Sequence, residues 1–267
     1  MTHLQDLENR SIFIIREAYK RFHNLTILWS FGKDSTVLLW LCRKAFFGRV
    51  PIRALHIDTT FKFPEMYAYR DQLIKEWDIN FARHVNQEAL DKGVNYTTCD
   101  PITVCEELKT NGLRQAIEKY KIDGLMLGIR KDEEGSRSKE RYFSPRDKEF
   151  QWDYKNQPPE LWDQFNSVYP SGAHIRVHPL LDWTELNIWE YIQQEGIPIV
   201  PLYLSKEGKR YRSLGCMPIT KPVISSAVTV SEIIEELKTT TVSERSGRQQ
   251  DTAQEYAMQK LRARGYM

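Results

Sequence analysis

Residues 25–47 constrain the fold most: an apolar run breaks off at a short polar turn and runs straight into a helical pattern. Leu25, Ile27, Leu28 and Trp29 read as a buried strand, and Ser30-Phe31-Gly32-Lys33-Asp34-Ser35 as the turn. Val37, Leu38, Leu39, Trp40, Leu41 and Ala45 then recur at spacings of three and four, which is the helix period. Gly32 is read as the residue that takes backbone angles a side chain would forbid and lets a ligand approach. Ser35 and Thr36 place hydroxyls and N–H groups at the helix start, where the dipole favours an anion. Lys33 adds a positive charge beside them. Both a phosphate site and an ordinary strand-to-helix turn capped by Asp34 and Ser35 fit this local physics. A Walker A loop does not, because it needs another Gly before Phe31 and Ser or Thr in place of Asp34.

Strand and helix patterns alternate over the first half of the chain. Residues 4–22 form an amphipathic helix pattern, with Leu4, Leu7, Ile12, Ile15 and Tyr19 read as facing the body. Short apolar runs at 51–57, 80–85 and 124–127 follow as strands two to four, with helices at 63–77 and 112–120. This order predicts an α/β fold: a mostly parallel twisted sheet with helices on both faces. Residues 128–172 are dense in charge, aromatics and proline, and are read as loops and short helices. A strand at 175–181 leads into a capping box read at Asp182-Trp183-Thr184-Glu185, and a second box stands at Thr229-Val230-Ser231-Glu232. The tail from Gln249 to Arg264 is read as a last helix. The expected division is a nucleotide-binding core over 1–195 and a C-terminal segment over 196–267 that folds over the site.

Ligands of open parallel sheets bind beyond the carboxyl ends of the strands, so three loops should meet there. The first is the turn at 30–35. The second is His56-Ile57-Asp58-Thr59-Thr60, where Asp58 could accept a hydrogen bond, help hold Mg²⁺ through water, or merely cap a turn. The third begins at Gly128-Ile129-Arg130-Lys131-Asp132 and runs to Arg137. Its arginines suit phosphate or sulfate oxygens, although such charged runs are usually solvated loops. The basic loops at 210–216 and 243–248 are weak signals alone. Cys216 sits among apolar neighbours and reads as a buried structural thiol rather than a nucleophile. No histidine pair has metal-ligand spacing, and the tryptophans Trp152, Trp162, Trp183 and Trp189 read as packing.

Net charge is +2, which gives no bulk signal for a nucleic-acid partner. No apolar run reaches the ~20 residues that span a bilayer, the N-terminus lacks signal-peptide features, and the four cysteines form no C-x-x-C pair. These features predict a cytoplasmic protein with reduced thiols.

The wording of several stretches goes further. Ser30-Phe31-Gly32-Lys33-Asp34-Ser35 resembles the pyrophosphate loop of the ATP pyrophosphatase superfamily, with Phe31 in place of a small residue. LHIDTTFKFPEMYAYRD, GIRKDEEGSRSKERYFSPRD, IRVHPLLDWTELNIWEYI, RSLGC and TTTVSERSGR resemble the small catalytic subunit of heterodimeric ATP sulfurylase, sulfate adenylyltransferase subunit 2, a relative of PAPS reductase. The resemblance covers nearly the whole chain. It implies an adenine-nucleotide α-hydrolase-like fold and the reaction of ATP with sulfate to adenosine 5′-phosphosulfate and pyrophosphate, with Mg²⁺ on the nucleotide. It implies Ser30, Gly32, Lys33, Asp34, Ser35, Asp58 and Gly128 as nucleotide-binding residues. Arg130, Lys131, Arg137, Arg245 and Arg248 are the implied holders of sulfate and the α-phosphate; Asp58 and Asp132 are the candidates for Mg²⁺. Lys33, Asp34, Arg130 and Arg137 are then the residues on which catalysis depends. It also implies a large GTP-hydrolysing partner subunit.

One departure is clear: only Ser205 to Tyr211 separate P-L-Y-L from R-S-L-G-C, where the family carries a longer insertion. The rival readings are an ATP pyrophosphatase that adenylates another acceptor, a PAPS or APS reductase-like protein, and a non-catalytic nucleotide-binding partner. The tail ends RARGYM and lacks the redox cysteine a reductase needs.

Overall fold

The computed structural model describes residues 1–155, 157, 159–162, 164–165, 172–242 and 244–247. The expected last helix at 249–264 lies outside them. Helix α1 (His3–Arg21) leads into β1 (Leu25–Leu28), α2 (Lys33–Ala45), β2 (Arg53–Ile57), α3 (Pro64–Glu76) and β3 (Phe81–His84). Short helices α4 (Gln87–Asp91) and α5 (Pro101–Cys105) follow, then a π-helical turn (Glu106–Asn111), α6 (Gly112–Tyr120) and β4 (Gly124–Met126). The second half adds β5 (Phe143–Arg146), β6 (His174–Val177), α7 (Glu185–Glu195), the two-residue strands β7 (Lys209–Arg210) and β8 (Val223–Ile224), and α8 (Val230–Thr239).

Six strands make one sheet in the order β3-β2-β1-β4-β6-β5. All its pairs are parallel except β5–β6. Each residue of β1 and β4 is buried, as a parallel sheet covered on both faces requires. The chain steps outward from β1 to β3 and then returns to β4 on the other side of β1. That reversal opens a crevice beyond the carboxyl ends of β1 and β4.

Several elements differ locally from the sequence reading. Helix α1 buries Leu7, Ser11, Ile14, Ile15 and Ala18, while Tyr19 points outward. The turn favours Ser11 because its hydroxyl donates to the Pro179 carbonyl and accepts the Trp183 indole N–H at 2.9 Å. The N-cap of α7 is Thr184, answered by Asn187, two residues beyond the box read at Asp182. The box at Thr229 and Glu232 forms as written. Strand β5 was not anticipated, because Arg146 reads as surface. It is in fact buried and bonded to Glu140 at 2.9 Å. The short Ser205–Tyr211 segment closes as a two-residue turn: Glu207 and Gly208 have φ of 54° and 76°, and Lys206 and Lys209 exchange backbone hydrogen bonds.

Two histidines are buried neutral. Burial, then Lys62, lowers His56 to about 3, and burial, then Arg176 and Arg146, lowers His174 to about 2. Below the ordinary value of 6.5 the unfolded chain takes up protons that the folded chain refuses. Stability therefore rises with pH through this window and is lost as pH falls from 6.5 toward 3. Each group contributes a slope of about 1.4 kcal/mol per pH unit. Urea unfolding between pH 6.5 and 5, above most carboxylate titration, should show the loss; a flat profile there contradicts it.

Candidate active site

The turn after β1 is shaped by Phe31, not Gly32. Phe31 adopts φ 68°, a region costly for a bulky residue, whereas Gly32 has an ordinary φ of −75°. Burial offsets that cost: the Phe31 ring is fully enclosed, edge-on to Trp29 at 4.9 Å and against His56 at 4.0 Å. His56 Nδ1 in turn bonds the Trp29 carbonyl at 2.9 Å. Phe31 is thus an aromatic anchor that fixes the turn.

Helix α2 starts at Lys33, and its N-cap, Gly32, has no side chain to cap the first turn. The Lys33 N–H donates to the Tyr203 hydroxyl at 2.9 Å. The Ser35 hydroxyl accepts the Ser30 N–H at 3.2 Å and bonds the Gly32 carbonyl at 3.1 Å, which closes the turn into a cradle. The N–H groups of a helix start that its own N-cap side chain does not hold suit an anion.

Gly128, just beyond β4, presses against this start. A Cβ there would lie 2.9 Å from the Asp34 carbonyl carbon and 3.0 Å from the Ser35 nitrogen. Gly128→Ala must push α2 away from β4, and should cost roughly ten- to a hundredfold in nucleotide turnover through misplacement. Steady-state kinetics beside a melting curve checks this; unchanged turnover would show that the close approach is immaterial.

Behind the cradle lies a dry ion network. Arg130 is fully buried; its guanidinium donates to Asp34, to Glu244, and through Nε to Asp132 at 2.9 Å. Lys33 bonds Glu244 and, at 3.2 Å, Asp34. Burial alone would raise the Glu244 carboxyl, but Lys33 and Arg130 hold it well below the usual carboxylate range. Burial likewise opposes the Arg130 charge, and Glu244 and Asp132 keep it protonated. Lys33, Arg130, Asp34 and Glu244 thus make a neutral quartet. Farther out, Arg137 pairs with Glu133, and Arg245 lies 3.6 Å from Glu134 and 3.9 Å from Glu133.

The cleft in front has a volume of about 160 Å³ and opens to solvent. Its lining includes Ser30, Gly32, Lys33, Asp34, Ser35, Gly128, Arg137 and Arg245 from the sequence reading. It also includes His56, Lys62, Lys109, Glu133, Tyr203 and Ser213, which that reading did not assign. Five cationic side chains (Lys33, Lys62, Lys109, Arg137, Arg245) face two carboxylates (Asp34, Glu133), so the lining favours a polyanion.

Other expected site residues are placed elsewhere. Arg130 sits behind Asp34 rather than on the lining, and Lys131 is exposed with its amine on Asp182 at 2.6 Å. Asp132 is exposed and accepts from Arg130 and from the Glu185 N–H at 2.7 Å. Asp58 is buried off the lining and accepts from the Tyr67 hydroxyl at 2.7 Å, the Thr60 N–H at 2.8 Å and Arg83 at 2.6 Å. Burial would raise its pKa, but the Tyr67 and Thr60 hydrogen bonds and Arg83 keep it below the ordinary value. With their oxygens engaged in this way, Asp58 and Asp132 do not fit a magnesium site. Among the described residues no group of three His, Cys, Asp or Glu side chains could hold a metal ion. Arg248 lies outside the described residues. Cys216 is buried and bonds the Thr59 hydroxyl at 3.1 Å.

Glu244 was missed although its motif was noted, because it stands beside Arg245 in a stretch read for its basic residues. Lys62 and Lys109 were missed because lone lysines normally read as surface.

The profile of the phosphoadenosine phosphosulfate reductase domain matches residues 24–222. A sulfate adenylyltransferase subunit 2 from Pseudomonas paraeruginosa is 44% identical over 300 aligned positions, covering 100% of this chain and 98% of that protein. One from Zymomonas mobilis is 45% identical over 296 positions with the same coverage. Among solved structures, the phosphoadenylyl-sulfate reductase of Candida auris superposes with a TM-score of 0.55 at 17% identity, covering 84% of this chain and 98% of that one. The FMN adenylyltransferase of Candida glabrata in complex with ATP does so with a TM-score of 0.56 at 18% identity, over 82% of this chain and 63% of that one. These two show the shared fold. Among the described residues no helix is long and apolar enough to cross a membrane.

Proposed function

The chain belongs to the sulfate adenylyltransferase subunit 2 family, within the phosphoadenosine phosphosulfate reductase domain family, and we infer that it transfers the adenylyl group of ATP to sulfate. The full-length likeness names the acceptor. The observation that carries the chemistry is the start of α2, with Gly32 as its N-cap and Lys33 in its first turn, opening onto a cationic cleft.

A sulfate oxygen attacks the α-phosphorus, the new P–O–S bridge forms, and the bond from α-phosphorus to the β-bridging oxygen breaks. The electron pair leaves with pyrophosphate, and no proton is transferred. The barrier is repulsion among anions, so positioning and charge neutralisation do the catalysis. Ser30, Gly32, Ser35 and the first N–H groups of α2 cradle the departing pyrophosphate, and Lys33 supplies its charge. Two of the three Lys33 N–H donors hold Glu244 and Asp34, which leaves one for the phosphates. Asp34 and Arg130 are positioning residues: a carboxylate would repel phosphate, and its partner Arg130 stands one layer back. Arg137 and Arg245 stabilise charge on the α-phosphate. Mg²⁺ would arrive with the nucleotide and share the charge of its phosphates. Tyr203 bonds the Lys33 N–H, Glu244 bonds the Lys33 amine and Arg245 lines the cleft, which supports reading the C-terminal segment, 196–267, as folding over the site. All four cysteines are thiols, which suits a reducing cytoplasm.

Forming a phosphate–sulfate anhydride from ATP runs uphill, because sulfate is the conjugate base of a strong acid. A GTP-hydrolysing partner subunit supplies the coupling. In the test, the chain is incubated with ATP, sulfate and a pyrophosphatase, with and without a GTPase subunit and GTP. Adenosine 5′-phosphosulfate should be scarce from the chain alone and rise with the partner and GTP. Full product from the chain alone would make it a stand-alone enzyme. No product under any condition would overturn sulfate as acceptor.

A further inference from the structure

Two lysines that no motif singles out converge on one end of the cleft. Lys62 follows β2, and Lys109 lies in the π-helical turn between α5 and α6. Such turns insert an extra residue into a helix and recur at functional sites. Here the turn buries both Leu108 and Lys109. Lys62 and Lys109 are only 9% and 7% exposed, and both line the cleft that holds Lys33 and Ser30.

The surroundings report a positive field. Burial pushes the Cys216 thiol up, yet Lys109 and Lys62 bring it to about 7. Burial, followed by Lys62, depresses His56. On the β4 side, Arg137 and Arg245 already face Glu133 and Glu134. In an in-line displacement the acceptor and the leaving group occupy opposite sides of the α-phosphorus. With pyrophosphate on the loop after β1, the part of the lining that carries Lys62 and Lys109 is where a second anion is accommodated. The adenosine is neutral and has no need of two ammonium groups.

We propose that Lys62 and Lys109 bind the acceptor, a tetrahedral oxyanion dianion, in this reaction sulfate. The assignment rests on the adenylyl-transfer reading above. Both amines donate charge-assisted hydrogen bonds to it and hold one oxygen toward the α-phosphorus.

The test uses the full chain, sulfate-dependent exchange of labelled pyrophosphate into ATP, and the variants Lys62→Met and Lys109→Met, which keep length and remove charge. Each should raise the KM for sulfate at least ~10-fold, as loss of a charge-assisted bond implies, while the KM for ATP stays within about twofold. Lys62→Arg should recover part of the sulfate affinity, and it carries the test if a Met variant does not fold. An unchanged KM for sulfate, or both KM values rising together, overturns the assignment. The unaltered chain is measured first: sulfate-dependent exchange there with unmoved variants sinks only the lysine site, whereas exchange without sulfate dependence overturns the reading beneath it as well.

Discussion

Lys33→Ala is expected to lower pyrophosphate exchange on the order of 10³-fold while the fold persists. Lys33 is the lining cation that sits in the first turn of α2. Its removal deletes a donor aimed at charge that develops on the leaving group, so the loss falls on kcat as well as KM. The fold should survive because Glu244 keeps its bond to Arg130 and α2 keeps its packed face of Val37, Leu38 and Leu41. Kinetics and a thermal melt on the same preparation check this. Near-normal exchange in a folded variant would remove the loop from the mechanism.

Arg130→Met is expected to cost both stability and turnover. Its guanidinium holds Asp34, Asp132 and Glu244 together at full burial. Removing one partner of a buried ion network leaves uncompensated charge, at a cost of about 3–5 kcal/mol. In a chain of this size the melting temperature should fall by roughly 10 °C. Glu244 then loses one of the two cations that keep it ionised, so acid sensitivity should move to higher pH. A variant that melts like the unaltered chain would mean that the quartet is not a structural unit.

Much of this arrangement was legible in the sequence because it rests on hydrophobic pattern. The run at 25–29 reads as a buried strand, and the structure places it in the middle of the sheet with the turn at its carboxyl end. Local chemistry was legible where it is local: the Thr229–Glu232 box needs only four residues to form. What escaped depends on contacts distant in sequence. Glu244 acquires its role from Lys33, 211 positions away, and from Arg130, 114 positions away. Arg146 and Lys109 are buried charges, and a one-dimensional pattern assigns such residues to the surface. Asp58 reads equally well as a metal ligand or a turn residue; only the placement of Tyr67 and Arg83 shows where its oxygens go. Gly32 was read as the strained residue of the turn because glycine is the usual choice there, and the buried environment that lets Phe31 take that conformation is tertiary.

The account's central claim is that sulfate displaces pyrophosphate at the α-phosphorus of ATP in the cleft before α2. Exchange of labelled pyrophosphate into ATP tests it most directly, because exchange reads the chemical step at equilibrium and needs no net formation of an uphill product. The purified chain should exchange label in the presence of sulfate and lose that exchange when sulfate is omitted. Exchange that is indifferent to sulfate, or that appears only with a carboxylate or another acceptor, would contradict it.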